Sequence, residues 1–163
     1  MNKVKTFLLL LISFILQTTV FSKINIFGAN VNILIPALVA ISQFLGGKTG
    51  GYSGLILGLV EDFLLTSFIG VRALSYYLIG YVVGSKDFKL PRDRASGALI
   101  TVGASIFNFL LVSVIYFLLG KSSADILAYL PIGLIIEVVF NGLIYILYNL
   151  IVGKIMYLPT YRI

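Results

Sequence analysis

The sequence predicts an all-α, polytopic membrane protein: a single domain, residues 1–163, of six transmembrane helices. Three observations carry this reading. Hydrophobic residues make up 60% of the chain and charged residues only 11%, with a mean hydropathy of +1.08, whereas a soluble domain carries about 25% charged residues. Apolar stretches recur along the whole chain, several of them long enough to cross a hydrocarbon core of about 30 Å and the second, third and fourth shorter. Runs such as FLLLLISFIL at 7–16 and LLVSVIYFLL at 110–119 do not alternate, while outer-membrane barrel strands alternate apolar and polar positions over about ten residues.

The first span, near 7–22, follows Lys3 and Lys5 and imitates a signal peptide. Cleavage needs small residues at defined positions, and Val20 and Phe21 fit them poorly, so this segment is expected to remain as a helix. The second span, near 31–45, carries Pro36, placed to kink it. The third, near 51–68, contains Glu61 and Asp62, and the fourth runs near 71–84. The fifth lies near 96–119 and the sixth near 129–152, with Pro131 close to its start, where proline is tolerated. Connections fall at 22–30, 46–50, 67–70, 85–94 and 120–128.

Six spans put both termini on one side. With the N-terminus in the cytoplasm, the inner segments hold Lys3, Lys5, Lys48, Lys86, Lys89, Arg92, Arg94, Lys154 and Arg162. The outer segments hold Lys23 and Lys121, with Arg72 at the outer end of the fourth span. This bias is the one expected of cytoplasmic loops. It also accounts for the net charge of +6 without nucleic acid as a partner, since no basic groove-reading element is present.

The chain has neither cysteine nor histidine. That excludes disulfide scaffolds, thiol nucleophiles, Cys/His zinc sites and every mechanism with an imidazole base. Glu61 and Asp62 diverge on a helix and do not converge on one metal, and the phosphate-binding and zinc-protease motifs are missing. The expectation is a protein that is not an enzyme and needs no cofactor.

Polar and small residues recur every four positions in three spans. Gly46, Gly50, Gly54, Gly58, Asp62, Thr66 and Gly70 form one such series. Glycines on one helical face let another backbone approach closely and drive helix association in lipid, within this chain, with a second copy, or with a partner. Asp62 continues that ridge and is expected to point into a helix contact. Arg72, Tyr76, Gly80 and Gly84 repeat the device in the fourth span. A charge in hydrocarbon is costly, and an Asp62–Arg72 ion pair across the two spans would lower that cost. Reaching of Arg72 outward to lipid headgroups is the other reading.

In the sixth span Gly133, Glu137, Asn141, Tyr145 and Asn149 share a face. Such a stripe should line the bundle interior together with Asn108 of the fifth span, either as a ligand path or as interhelical hydrogen bonds that fix packing. The short loop with Lys86, Lys89, Arg92 and Arg94 around Asp87 and Asp93 reads as an orientation signal that meets anionic membrane lipid, or as a dock for a cytoplasmic partner.

The stretch from Gly54 to Gly84, GLILGLVEDFLLTSFIGVRALSYYLIGYVVG, resembles the central signature of the MreD family of rod shape-determining membrane proteins. Spaced glycines, an acid, a short loop ending in glycine, an Ala-Leu-x-Tyr segment and further glycines correspond to Gly54, Gly58, Asp62, Gly70, Ala73, Leu74, Tyr76, Gly80 and Gly84. The opening is similar too, with Gln17-Thr18-Thr19 closing the first span and Phe27-Gly28 before Asn32-Ile33-Leu34. Val31-Asn32 stands where the family often has a Pro-Asp or similar polar pair.

The resemblance implies a non-enzymatic scaffold of the cell-elongation (Rod) complex in the bacterial cytoplasmic membrane, serving cell shape and lateral peptidoglycan synthesis. It implies the bitopic protein MreC as partner. Through MreC the complex is linked to MreB filaments, to RodA and to its class B penicillin-binding partner. It further implies a bundle similar to the S components of energy-coupling-factor vitamin transporters. Such an S component, which binds a vitamin near the outer surface, is the alternative function. Those proteins commonly dock their transport partner through Ala-x-x-x-Ala on the first helix, and FLLLLISFILQTTVF contains no alanine. A proton-coupled carrier using Glu61, Asp62 and Glu137 is a third reading.

Overall fold

The computed structural model describes residues 2–26, 29–66, 68–86, 93–120 and 126–156. Six helices appear in the predicted order: α1 (Asn2–Thr19), α2 (Leu34–Leu45), α3 (Gly47–Leu65), α4 (Val71–Val83), α5 (Arg94–Leu118) and α6 (Ile126–Ile155). A 3-10 turn at Phe21–Lys23 and a two-residue hairpin of β1 (Asn25–Ile26) and β2 (Ala29–Asn30) join α1 to α2, with Asn25 opposite Asn30 and Ile26 opposite Ala29. The architecture is that of an all-α membrane protein.

Among the described residues, three segments are long and apolar enough to cross a membrane: Lys3–Lys23, Arg94–Leu118 and Leu134–Ile155. The apolar helices α2 and α4, of 12 and 13 residues, rise only about 18 and 20 Å, short of a core of about 30 Å.

The α2–α3 connection differs from the expectation. The 46–50 glycine cluster reads as a loop because glycine is a poor helix former. In the structure Gly46 alone makes the reversal, with φ 89°, and α3 starts at Gly47. Packing overrides propensity here: the Gly47 N–H donates across to the Gly84 carbonyl at 2.7 Å. Pro36, read as a kink, is the third residue of α2. Its missing N–H falls in the first turn, where no intrahelical partner exists anyway.

Helix α2 occupies the centre of the bundle and packs against each of the other five helices. Every residue from Leu34 to Gln43 is buried, as expected of a helix that is apolar all round. Leu34, Ile35, Leu38 and Ile41 have no exposed surface at all. The surrounding helices carry large apolar residues outward, among them Phe7, Ile56, Phe63, Leu99, Phe117 and Leu143. Hydrocarbon solvates these residues as well as a protein core does.

The two ends of the bundle differ in charge. Lys5 Nζ of α1 donates to the Ile155 carbonyl of α6 at 2.6 Å, Phe44 of α2 lies against Gly153 of α6, and Gly47 of α3 bonds Gly84 after α4. Gly97 near the start of α5 lies under the Tyr145 ring, whose hydroxyl bonds Gln43 near the end of α2. Lys3, Lys5, Lys48, Lys86, Arg94 and Lys154 therefore belong to helix ends that share one side. Asp93 caps α5 there, accepting from the Ser96 N–H at 3.3 Å. Hydrogen bonds from Ser96 hold its carboxyl below the ordinary aspartate range.

Candidate functional site

The α3–α4 helical hairpin is the most tightly closed part of the molecule. The glycine series of α3 packs directly against the backbone of α4. A β-carbon built on Gly58 would lie 2.5 Å from Ala73 Cα, and one on Gly84 would lie 2.5 Å from the Gly46 carbonyl carbon. On Gly54 it would collide with the Tyr76 carbonyl, and on Gly80 with the Gly50 backbone. The two glycine ridges are thus spent on each other inside this chain. The turn between the helices ends at Gly70, whose φ of +108° suits a residue without a side chain.

Asp62 sits at the end of the α3 ridge, completely buried, as its spacing requires. The expected Asp62–Arg72 ion pair is not what forms. Asp62 Oδ2 instead accepts three backbone N–H groups at the start of α4: Gly70 at 2.8 Å, Arg72 at 3.0 Å and Ala73 at 3.3 Å. The carboxylate therefore caps the next helix and meets the positive end of its dipole. Thr66 secures the turn by bonding the Asp62 and Phe68 carbonyls, both at 2.9 Å.

Arg72 pairs with Glu61. The physical reason is reach. The short Asp62 side chain is held at Oδ2 by the N–H groups that fold back over it. Glu61, about 100° around the helix, extends one methylene further and meets the guanidinium. Glu61 is buried, while the Arg72 side chain keeps 30% of its surface exposed. Tyr76, fully buried, lies beside Glu61 and its hydroxyl accepts from Asn32 Nδ2 at 2.8 Å. Residues of α3 and α4 and of the segment entering α2 thus form one polar cluster. Glu137 of α6 approaches it, half-buried beside Asn141 and within electrostatic reach of Arg72 and Glu61. Glu61 Oε2 and Asn141 Oδ1 are buried without a hydrogen-bond partner among the described residues.

Below this cluster the stripe on α6 resolves into interhelical hydrogen bonds. Asn141 Nδ2 donates to Ser105 of α5 at 2.9 Å. Tyr145 donates to Gln43 of α2 and accepts from Asn149 at 2.9 Å. Asn108 does not join the stripe; it accepts from Ser75 of α4 at 2.7 Å. Tyr148, one position off the stripe, donates to Ser13 of α1 at 2.6 Å. Gln17 clamps the entry to α2, donating to the Val31 carbonyl at 3.1 Å and accepting from the Ile33 N–H at 2.9 Å. Spacing does not mark Ser13, Gln43, Tyr148, Ser75 and Ser105. Their signal is simpler: each is a polar atom inside an apolar run, and such atoms demand partners in hydrocarbon.

Of the basic loop, Lys86 and Arg94 are placed at the flanking helix ends, whereas Lys89 and Arg92 lie outside the described residues.

The family model described as rod shape-determining protein MreD matches residues 1–161 of the chain. No curated protein and no solved structure matches.

Proposed function

The chain belongs to the MreD family of rod shape-determining proteins, and from that premise we propose that it is a non-enzymatic membrane scaffold of the bacterial cell-elongation complex. It acts with MreC, and through MreC with MreB, RodA and the class B penicillin-binding protein, in lateral peptidoglycan synthesis. All six helices lie in the cytoplasmic membrane with both termini in the cytoplasm. What supports the orientation is the collection of Lys3, Lys5, Lys48, Lys86, Arg94 and Lys154 at one end of the bundle.

One observation carries the scaffold reading. The polar groups of the interior are engaged chiefly with one another across helices, as in Tyr145–Gln43, Asn141–Ser105 and Tyr148–Ser13. That arrangement fixes shape and suits a protein whose product is a surface. The α3–α4 hairpin is the element assigned to MreC, since its glycine ridges set the angle at which its outward face, with Leu59 and Phe63, meets the bilayer.

The test is co-purification of MreC from membranes, with Gly58→Leu, Asp62→Ala and Phe63→Ala compared at matched membrane abundance. Loss of MreC and of rod shape in these variants is expected. Full retention of both in all three removes the hairpin from the partner surface. A stoichiometric vitamin on the purified chain, without MreC, replaces the scaffold by an S component.

A further inference from the structure

Helices α1 and α3 stand apart along one side of the bundle and leave a groove of about 730 Å³ floored by Phe44 and Leu45 of α2. Its walls are mainly apolar, with Phe7 and Phe14 on α1 and Ile56 and Val60 on α3, and the polar atoms of Thr6, Thr49, Tyr52 and Ser53 interrupt them. Its volume falls in the range of about 300–1,000 Å³ typical of ligand sites. Lys3 on α1 and Lys48 on α3 stand at one end, both exposed, and no acidic residue lines the groove. Neither lysine is engaged by a carboxylate among the described residues. Lys5, by contrast, is committed to the α6 carbonyl end.

The length of the groove says what occupies it. From Lys48 to Val60 is 12 residues on α3, and from Lys3 to Phe14 is 11 on α1, a depth of about 17–18 Å. That is close to one leaflet of a core about 30 Å thick. A partner's transmembrane helix needs a surface through both leaflets; an acyl chain needs one. Two cations at the interface end and an apolar trough one leaflet deep match the two parts of a single amphiphile. We propose that the α1–α3 groove is a binding site for an anionic phospholipid. Its phosphate is held between Lys3 and Lys48, and an acyl chain lies along Phe7, Phe14, Ile56 and Val60.

The site is tested on the purified full chain in mixed micelles by native mass spectrometry, with phosphatidylglycerol and phosphatidylcholine as the probes. The wild-type chain is expected to retain phosphatidylglycerol in preference. The double variant Lys3→Gln/Lys48→Gln should lose that preference by on the order of thirty-fold, from about 1 kcal/mol per lysine. The control Lys86→Gln/Lys154→Gln removes two cations from the same end outside the groove and should keep it. Ile56→Trp, which fills the trough from an exposed position, should lower retention of both lipids. Equal retention of the two lipids by the wild type overturns the proposal. So does an unchanged preference in the Lys3/Lys48 variant, or an equal loss in the control, which would mean diffuse charge. A second copy of the chain or a partner helix crosslinked into the groove in place of lipid overturns it as well.

Discussion

Glu61 and Asp62 are neighbours in the chain with separate tasks, and substitution should tell them apart. Asp62→Ala strands three N–H groups at the start of α4 in a buried setting. The lost cap alone costs about 0.5–2 kcal/mol, and the stranded donors raise the total to about 2–4 kcal/mol. Asp62→Asn keeps one acceptor oxygen and should lose less; reversible unfolding in detergent measures both. For the ion pair, Glu61→Arg and Arg72→Glu should each destabilise, and the two together should recover most of the loss. An Asp62/Arg72 exchange should recover nothing, because it destroys the cap. Periodicity made the burial of Asp62 legible, since every fourth residue of α3 shares a face. It could not distribute Arg72 between two adjacent acids. That choice depends on how the turn at 66–70 folds its N–H groups over the shorter side chain, and no spacing rule encodes it.

At the level of elements, the helical hairpin is held by backbone contact and therefore tolerates little. Gly58→Leu, Gly80→Ala and Gly84→Ala each place atoms inside the facing helix backbone, and each should lower the α3–α4 melting transition sharply. Gly103 of α5 has nothing within 4 Å of a built β-carbon. Gly103→Ala should raise stability by about 0.5–1 kcal/mol through helix propensity alone. A thermal unfolding series in one detergent ranks the four. The six helices and their order were readable from hydropathy, because apolar length is a property of contiguous residues, whereas helix ends such as Asn2 of α1 and Ile126 of α6 are not marked by it. The start of α3 was not. Gly47 to Gly50 are helical only because α4 lies against them, a fact that resides 30 residues away in the chain. The stripe on α6 was legible as interior, but its partners, Gln43 and Ser105, depend on how helices are arranged around α2.

On the scale of the molecule, the absence of cysteine from the chain gives a clean background for mapping topology. Lys86→Cys is expected to resist a membrane-impermeant maleimide in intact cells and to react once they are opened. Lys23→Cys is expected to react in intact cells. The reverse pattern at both sites inverts the orientation. The enclosure of α2 has a consequence for biogenesis. A ribosome delivers α2 well before α6, which supplies Tyr145 to Gln43 and Tyr148 to Ser13. Until then the centre of the bundle lacks one wall, and the first helix lacks the carbonyl that receives Lys5. Maturation therefore waits on a closing step by α6, and a nascent chain stopped before Ile126 should insert but turn over rapidly in a pulse-chase. Co-expression of the missing helix as a separate peptide should lengthen its lifetime, because what the fragment lacks is a wall and not a signal to enter the membrane.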